Sequence, residues 1–205
     1  SLGLTSGHLP QRDSPFHDVV IERGVAEGIA VKKPGAVTQP VIGQYVDDVL
    51  LVNEQSLEWA VGTLVEQQRV VSEGAGAAGI AAIHQHREIF AGKKVGVVIC
   101  GGNIDPRLLA SILNRNMASD GRLARLRIDI SDEPGMLAAI TASISRCGGN
   151  IVEIYHQRLF YDVPAKLAKI DAVIETRGPD HVTEIIEDLR QAQFQVRQLD
   201  DNSAG

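Results

Sequence analysis

Cys100 stands where a side chain could take part in chemistry, because it ends the apolar run VGVVIC, residues 95–100. Gly101 and Gly102 follow it directly, so little side-chain bulk surrounds the thiol along the chain. Three kinds of chemistry suit such a segment: a nucleophilic thiol, a turn that cradles a phosphate, or a contact with the ring of a cofactor. A nucleophile would need a nearby base, and none of the six histidines lies in a recognisable nucleophile motif.

A second candidate is GAGAAG, residues 74–79, which matches G-x-G-x-x-G and follows a short predicted strand. Taken alone, this pattern indicates a dinucleotide site. Glu73 precedes the first glycine, however, and its charge would oppose a pyrophosphate at the helix N-terminus. The next predicted strand also ends on Cys100 rather than on an acidic residue that could bind a ribose. The alternative is that small residues here let a helix and a strand pack closely.

The histidines give little indication of a metal site. His84 and His86 are two residues apart on a predicted helix, so they point to different faces, and we expect both to be solvated. His156 alternates with Val152 and Ile154 along a predicted strand, which places the three on one face and indicates a structural role.

Composition argues against several classes of protein. The 205-residue chain has a net charge of -6, with 10 basic and 12 acidic residues up to Ala118 and 10 and 14 beyond it. Neither part has the basic surplus of a nucleic-acid or anionic-membrane binder, and no apolar run could span a bilayer. The first twenty residues lack the features of a signal peptide. With only two cysteines, a disulfide scaffold is not expected, and we predict a cytoplasmic protein.

The elements that must position Cys100 and the glycine motif alternate between strand and helix. Two apolar runs have the length and β-branched content of buried strands, 46–52 and 95–100, and VVSEG, residues 70–74, is predicted to be a short strand with a turn. Helices are predicted between and after them: 54–69, 74–90 and from Asp105–Pro106 onward. Asn53 can cap the first of these helices. Strands that alternate with helices indicate a largely parallel α/β layer.

The pattern changes after Gly121. Four apolar residues alternate with charged ones, as in an antiparallel strand with one face in water: Ala124, Leu126, Ile128 and Ile130. A helix then ends at Gly148–Gly149, where Cys147 is expected in the core, and two more strands follow. Gly178–Pro179 opens another helix, and FQVRQL forms a last strand. The order β-α-β-β-α-β predicts a ferredoxin-like split unit.

Four motifs occur in series in the first part of the chain: GVAEGIAVKKPG, VDDVLLVNEQS, VVSEGAGAAGIAAI and VVICGGNID. They closely resemble the later part of catabolic-type threonine dehydratase (threonine ammonia-lyase), in the fold type II pyridoxal-phosphate family. The stretch DGRLARLRIDISDEPGMLAAITASISRCGGNIVEI looks like the ACT domain that often follows there. The resemblance implies a partial, parallel-sheet catalytic domain over 23–119 and a ferredoxin-like ACT domain over 120–205. Residues 1–22 are an unassigned lead-in.

The resemblance also implies roles for individual residues. Cys100 matches the Ser or Cys that faces the pyridine nitrogen of pyridoxal 5'-phosphate, where a weak neutral donor would not keep that nitrogen protonated. Gly101 gives the ring room, and Glu73 matches a glutamate at the cofactor's rim. Ala26, Glu27 and Gly28 match a segment packed against the ring face. The implied reaction is the conversion of threonine, and of serine, to a 2-oxo acid and ammonia, as in isoleucine biosynthesis.

In this family the Schiff-base lysine lies in a Ser-x-Lys-x-Arg-Gly type stretch upstream, and a glycine-rich phosphate loop comes further on. Neither occurs in this sequence, whose six lysines all stand in other contexts. We therefore expect that this chain alone has no catalytic residue for the reaction and does not catalyse it. The phosphate-cradle interpretation of Gly101 and Gly102 loses support for the same reason.

For the ACT part, the resemblance implies a homo-oligomer that binds a small amino-acid effector near the turn DEPG, residues 132–135, at an interface between two copies. The candidate ligand-binding residues are Asp132, Gly135 and Asn150, with exposed backbone N–H groups receiving a carboxylate. The alternative is a plain turn that binds nothing. Two other interpretations of the chain stay open: a non-catalytic amino-acid-binding and dimerisation module, and a nucleotide-dependent oxidoreductase with an ACT domain, which depends on GAGAAG.

Overall fold

The structure is a computed structural model that describes residues 24–26, 35–157 and 167–199. These residues form two compact units with the boundary between Leu113 and Asn114. The domain boundary expected from the sequence, at 119–120, stays a prediction, and the lead-in over 1–22 lies outside the described residues. No helix in the described part of the chain has both the length and the apolar character needed to cross a membrane.

The described part of the first unit is built from helices: α1 (Thr38–Tyr45), α2 (Glu54–Thr63), α3 (Gly74–Gln85), α4 (Arg87–Phe90) and the start of α5 (Pro106–Ser119). Asn53 caps α2 as predicted, because its side chain accepts a hydrogen bond from the Ser56 N–H at 2.8 Å. Asp105 likewise caps α5 through the N–H of Arg107 at 2.9 Å. The sequence did not reveal α1, which has no buried residue.

Two of the predicted helices are shorter than expected. Thr63 ends α2, and a π-helical turn, Leu64–Gln68, continues the chain to Arg69, which is left-handed with φ 59°. Gln85 ends α3, because His86 leaves the helical region with φ -117° and ψ 47°.

The expectation that His84 and His86 are solvated is wrong. The ring of His84 stacks on Trp59 with centroids 3.7 Å apart, and burial, followed by the Arg87 charge, lowers the pKa of His84. Nε2 of His86 lies 2.7 Å from the Leu51 carbonyl oxygen. Both rings therefore serve packing and hydrogen bonding in the first unit.

The three strands predicted for the first unit, at 46–52, 70–74 and 95–100, are not formed, since its described residues contain no strand. The segments run without regular secondary structure, and Val98 is 82% exposed. A parallel strand exists only when a neighbour supplies the evenly spaced hydrogen bonds of a ladder. Apolar patterning identified the segments but could not show whether such a neighbour was present. The mixed α/β class is confirmed for the chain as a whole, through the helices here and the sheet described next.

The second unit has the predicted β-α-β-β-α-β order: β1 (Leu123–Ser131), α6 (Met136–Arg146), β2 (Asn150–Gln157), β3 (Leu167–Glu175), α7 (Pro179–Gln191) and β4 (Gln195–Leu199). The strands form one antiparallel sheet in the order β2-β3-β1-β4. Pairing of β1 with β3 runs from Leu123 opposite Glu175 to Ser131 opposite Leu167. The ferredoxin-like prediction is confirmed.

One face of this sheet forms the core. The alternating residues of β1 are buried as predicted, with Leu126 and Ile128 fully excluded from solvent. They pack with the apolar stripes of the two helices, represented by Ile140 and Ile144 of α6 and by Ile185 of α7. Cys147 packs against the same cluster, also as predicted, and burial raises the pKa of its thiol.

The opposite face carries a buried ion cluster centred on Asp171 of β3. Arg127 donates to both carboxylate oxygens, at 2.7 and 2.8 Å, and Arg125 donates to Oδ2 at 3.0 Å. Asp171 has no exposed surface, because the two guanidinium groups cover it. The hydrogen bonds from Arg127 are the main reason why the pKa of Asp171 is lowered.

The edge strand β2 departs from simple alternation. Its pairing with β3 is irregular between Ile151 and Glu153. Ile151 and Ile154 pack against the core, whereas Val152 is 51% exposed. The prediction that Val152 shares a face with Ile154 is therefore wrong, because one inserted residue reverses the alternation at this point.

Candidate functional site

The structure brings Glu73 and Gly101 together beside Cys100. The Glu73 N–H donates to the Gly101 carbonyl oxygen at 2.9 Å. The Glu73 carboxylate also lies over Gly101, because a Cβ on that glycine would be 2.3 Å from Oε1. Gly101 has φ +73°, a conformation that favours glycine, and Cys100 is an exposed free thiol. Three residues that the sequence placed in the candidate site are therefore neighbours.

The glycines of GAGAAG allow α3 to approach the Cys100 segment. A Cβ on Gly76 would lie 1.5 Å from the Cys100 carbonyl oxygen, a distance no side chain could tolerate. One turn further along, a Cβ on Gly79 would lie 2.7 Å from Cγ1 of Val97. This geometry supports the close-packing interpretation of the motif and accounts for two of its glycines without a nucleotide.

Ser72 is a residue of this site that sequence reasoning missed. It is fully buried, and its hydroxyl donates to the Glu73 carbonyl oxygen at 3.0 Å and, more weakly, to the Cys100 carbonyl oxygen at 3.4 Å. The hydroxyl therefore links the segment that contains Glu73 to the segment that contains Cys100 and Gly101. A serine next to Glu73 in the motif VVSEG was visible in the sequence, but its burial was not.

A third segment, Gly24–Ala26, packs against the beginnings of two helices. The Val25 N–H donates to Oε1 of Glu54, the first residue of α2, at 2.5 Å. A Cβ on Gly74 would lie 2.3 Å from the Val25 carbonyl oxygen, so the start of α3 touches the same segment. Ala26 is only 2% exposed. The predicted contact at Gly28 lies outside the described residues.

The candidate residues of the second unit do not all meet within one copy. Asp132 and Gly135 lie in the exposed turn between β1 and α6, where Gly135 has φ +95° and a Cβ would meet no atom within 4 Å. Asn150 begins β2 and donates from Nδ2 to Oε2 of Glu175 at 2.7 Å. The register places Asn150 and Glu175 at one end of the sheet, and the turn follows Ser131 at the other end.

Known proteins match both the first part of this chain and most of its length. Residues 8–101 match the family described as "Pyridoxal-phosphate dependent enzyme". An L-threonine ammonia-lyase of Thermotoga maritima is 39% identical over 173 residues, covering 84% of this chain and 43% of that protein. An L-threonine ammonia-lyase of Geobacter sulfurreducens is 34% identical over 185 residues, covering 90% of this chain and 46% of that protein. The chain thus spans about half the length of the curated relatives it matches.

Two solved structures show limited similarity to parts of this chain. The ACT domain from a GTP pyrophosphokinase of Chlorobium tepidum is 29% identical with a TM-score of 0.31, covering 38% of this chain and 96% of that one. Serine racemase from Dictyostelium discoideum is 32% identical with a TM-score of 0.37, covering 42% of this chain and 29% of that one. The resemblance found in the sequence is confirmed by the family and the curated relatives: this chain matches part of pyridoxal-phosphate dependent enzymes named L-threonine ammonia-lyase, and its second unit is a ferredoxin-like βαββαβ unit.

Proposed function

We propose that this chain supplies one side of the pyridoxal-phosphate site of an L-threonine ammonia-lyase, which converts threonine, and serine, to a 2-oxo acid and ammonia. The observation that carries the proposal is the meeting of Glu73 and Gly101 beside the exposed Cys100 thiol. The names of the relatives from Thermotoga maritima and Geobacter sulfurreducens support the same reaction.

The residues present fit such a cofactor. Gly102 leaves a strip of backbone open, since a Cβ there would meet only the Val71 carbonyl oxygen, at 3.4 Å, while the Glu73 carboxylate lies against the neighbouring Gly101. A flat ring could approach that strip more closely than it could approach a chain with side chains. The Cys100 thiol beside it is a weak neutral donor, which suits a pyridine nitrogen that is not to be protonated.

Each residue then has a defined task. Cys100 would donate weakly to the ring nitrogen, Gly101 would leave space for the ring, and Glu73 would lie at its rim, with Gly28 on a segment against its face. When bound, the cofactor draws electrons from the substrate's α-carbon, which allows the α-proton and the β-hydroxyl to leave. Ser72 would hold the Glu73 and Cys100 segments together, because its single hydroxyl hydrogen is shared between the two carbonyl oxygens. The lysine that moves the α-proton in this family has no counterpart among the six lysines here.

The test is complementation between two polypeptides. This chain would be produced together with the upstream remainder of the Thermotoga maritima relative, and 2-oxobutanoate formation from threonine would be measured with added pyridoxal phosphate. The same remainder with the relative's own later part is the positive control, and this chain alone is expected to be inactive. A complex that copurifies and binds the cofactor but releases no 2-oxobutanoate would contradict the proposal.

Variants of Cys100 test its role within that complex. Cys100→Ser keeps a neutral donor and is expected to retain most of the activity, whereas Cys100→Asp would hold the ring nitrogen protonated and impair elimination. Cys147→Ser, in the second unit, is the matched control. Complete inactivation by Cys100→Ser would instead favour a nucleophilic thiol, and binding of a dinucleotide would favour the oxidoreductase alternative.

For the second unit we propose an amino-acid effector site formed between two copies. The open space at Gly135 and the distance of Asn150 along the sheet support it, because a site that uses both would need one residue from each copy. Titration calorimetry with isoleucine, valine, threonine and serine tests the proposal, with Gly135→Val as the variant expected to lose binding. Absence of heat with all four amino acids would leave a dimerisation module without a ligand.

A cytoplasmic location belongs to the same proposal. Both cysteines, Cys100 and Cys147, are free thiols, which supports a reducing compartment. Fractionation of cells that produce the protein would test this, and recovery from a membrane or secreted fraction would contradict it.

A further inference from the structure

Glu54 connects two segments that converge on the candidate site. It is the first residue of α2, and its Oε1 accepts the Val25 N–H at 2.5 Å. Gly24 lies against the same carboxylate, because a Cβ there would be 2.6 Å from Oε2. The peptide between Gly24 and Val25 therefore lies directly on the first turn of α2, where a negative charge is favoured by the helix dipole.

The other side of this segment is fixed by α3. The Val25 carbonyl oxygen lies so close to Gly74 that a Cβ on that glycine would be 2.3 Å away. Gly74 begins α3 directly after its N-cap residue, Glu73, which is the acid of the candidate site. The segment Gly24–Ala26 is thus hydrogen-bonded to Glu54 on one side and packs against Gly74, the residue after Glu73, on the other.

We infer that Glu54 is a positioning residue for the cofactor site, acting through Val25 and Ala26 and not by contact with the cofactor. The inference rests on the proposed function, in which Ala26 begins the segment that packs against the ring. A segment already fixed by a charge-assisted hydrogen bond loses little conformational freedom when the ring arrives, so the ring binds more tightly. Nothing in the sequence pattern distinguishes Glu54 from other acids at the starts of helices.

The hydrogen bond itself can be tested on the full 205-residue chain. Residue-resolved amide exchange should show that Glu54→Ala accelerates exchange at Val25 by about tenfold or more, because a bond to a charged group is lost. Glu54→Asp keeps the charge at the helix start but shortens the side chain, and should also accelerate exchange at Val25. Leu57, whose N–H is bonded to the Asn53 carbonyl oxygen at 3.2 Å, reports whether α2 stays folded.

Gln55→Ala, one residue further on α2 and exposed, is the matched control and should leave Val25 unchanged. If Glu54→Ala also accelerates amide exchange at Leu57, α2 itself has been destabilised. The Glu54→Asp variant then tests the hydrogen bond to Val25, since it retains the favourable charge at the start of α2. Unchanged exchange at Val25 in the aspartate variant, with Leu57 protected, would overturn the inference.

Cofactor affinity tests the functional part without a turnover measurement. In the complex with the upstream remainder of the Thermotoga maritima relative, fluorescence titration with pyridoxal phosphate should show about tenfold weaker binding for Glu54→Asp than for wild type or Gln55→Ala. Equal affinities would overturn this inference and leave the proposed function standing. A wild-type complex that takes up no cofactor would instead overturn the proposed function, while the exchange result at Val25 would still stand for the hydrogen bond.

Discussion

The two units contain apolar runs of similar character that end in different environments. In the first unit, VGVVIC pairs with no strand among the residues that the structure describes, and Val98 is 82% exposed. In the second unit, RLARLRIDI supplies all but the last residue of β1, which is paired on both sides, and Ile128 is fully buried. The difference shows that an apolar run has the potential to form a strand, and that neighbouring strands decide whether it does.

The units also differ in what holds their segments together. The first relies on glycines that allow backbones to touch, as at Gly76, and on single side-chain bonds such as that of Glu54. The second relies on a continuous sheet, a shared apolar core and the ion cluster at Asp171. A substitution that removes one of these interactions should therefore lower the stability of one unit and leave that of the other unchanged.

The largest effect is expected from Gly76→Leu. The added side chain would clash with the Cys100 carbonyl oxygen, which is a backbone atom and cannot move aside easily. We therefore expect the free energy of unfolding of the first unit to fall by about 3 kcal/mol or more. Trp59 is the single tryptophan and lies in this unit, so its fluorescence during urea unfolding reports the change. Gly43→Ala, on the exposed α1 with no atom within 4 Å, should alter stability by less than about 1 kcal/mol. Equal unfolding midpoints for the two variants would show that α3 does not depend on this contact.

Asp171→Ala should have the next largest effect, and this effect should fall on the second unit. It leaves two guanidinium groups facing each other, and because Arg125 and Arg127 still reach solvent, we expect a loss of about 2–3 kcal/mol, less than for a fully buried pair. Amide exchange in β1 and β3 measures this loss, and fluorescence of Trp59 should be unchanged in the same samples. A loss of stability confined to the first unit would contradict the conclusion that the Asp171 cluster stabilises only the second unit.

The same cluster predicts a dependence of stability on pH. A carboxyl whose folded pKa is lowered contributes stability that is complete above its unfolded pKa, 3.8 for Asp171, and is lost as the pH falls through the folded value. We expect the second unit to weaken as the pH falls below about 5, and more steeply in wild type than in Asp171→Asn. Asp188, whose pKa is also lowered, chiefly by hydrogen bonds from Ser143 and Arg146, supplies the part that remains in the variant. Parallel pH profiles for the two proteins would rule out Asp171 as a source of this dependence.

The smallest effect is expected from Glu184→Gln. Its ion pair with Arg177 spans 3.4 Å between side chains that are 57% and 66% exposed, so its loss should cost less than about 0.5 kcal/mol. Urea unfolding of the second unit provides the measurement. A loss of stability as large as that caused by Asp171→Ala would mean that burial does not explain the different contributions of the two ion pairs.

The sequence predicted those features whose cause is local or periodic. The cap at Asn53, the alternation through Leu126 and Ile128, and the helix end before Gly148 were all found where expected. It could not predict the fate of 95–100, because ladder formation depends on distant chain. It also missed the break at His86, whose side chain is hydrogen-bonded to the distant Leu51 carbonyl oxygen.

The candidate site was predictable in part for the same reason. The types and order of Glu73, Cys100 and Gly101 were visible in the motifs, and the structure places these residues together. The contributions of Ser72 and Glu54 were not visible, because each depends on a partner at least 28 positions away along the chain. A side chain that acts on a distant backbone leaves no local pattern to recognise.

The inserted residue at Val152 has a consequence for assembly through the edge of the sheet. A strand that joined β2 from outside would need an unbroken row of backbone donors and acceptors, and the irregularity between Ile151 and Glu153 interrupts that row. Only the stretch after Glu153 offers regular spacing, so an added strand has few alignments to choose from. The extra residue in β2 therefore restricts the register in which another strand could pair with this edge.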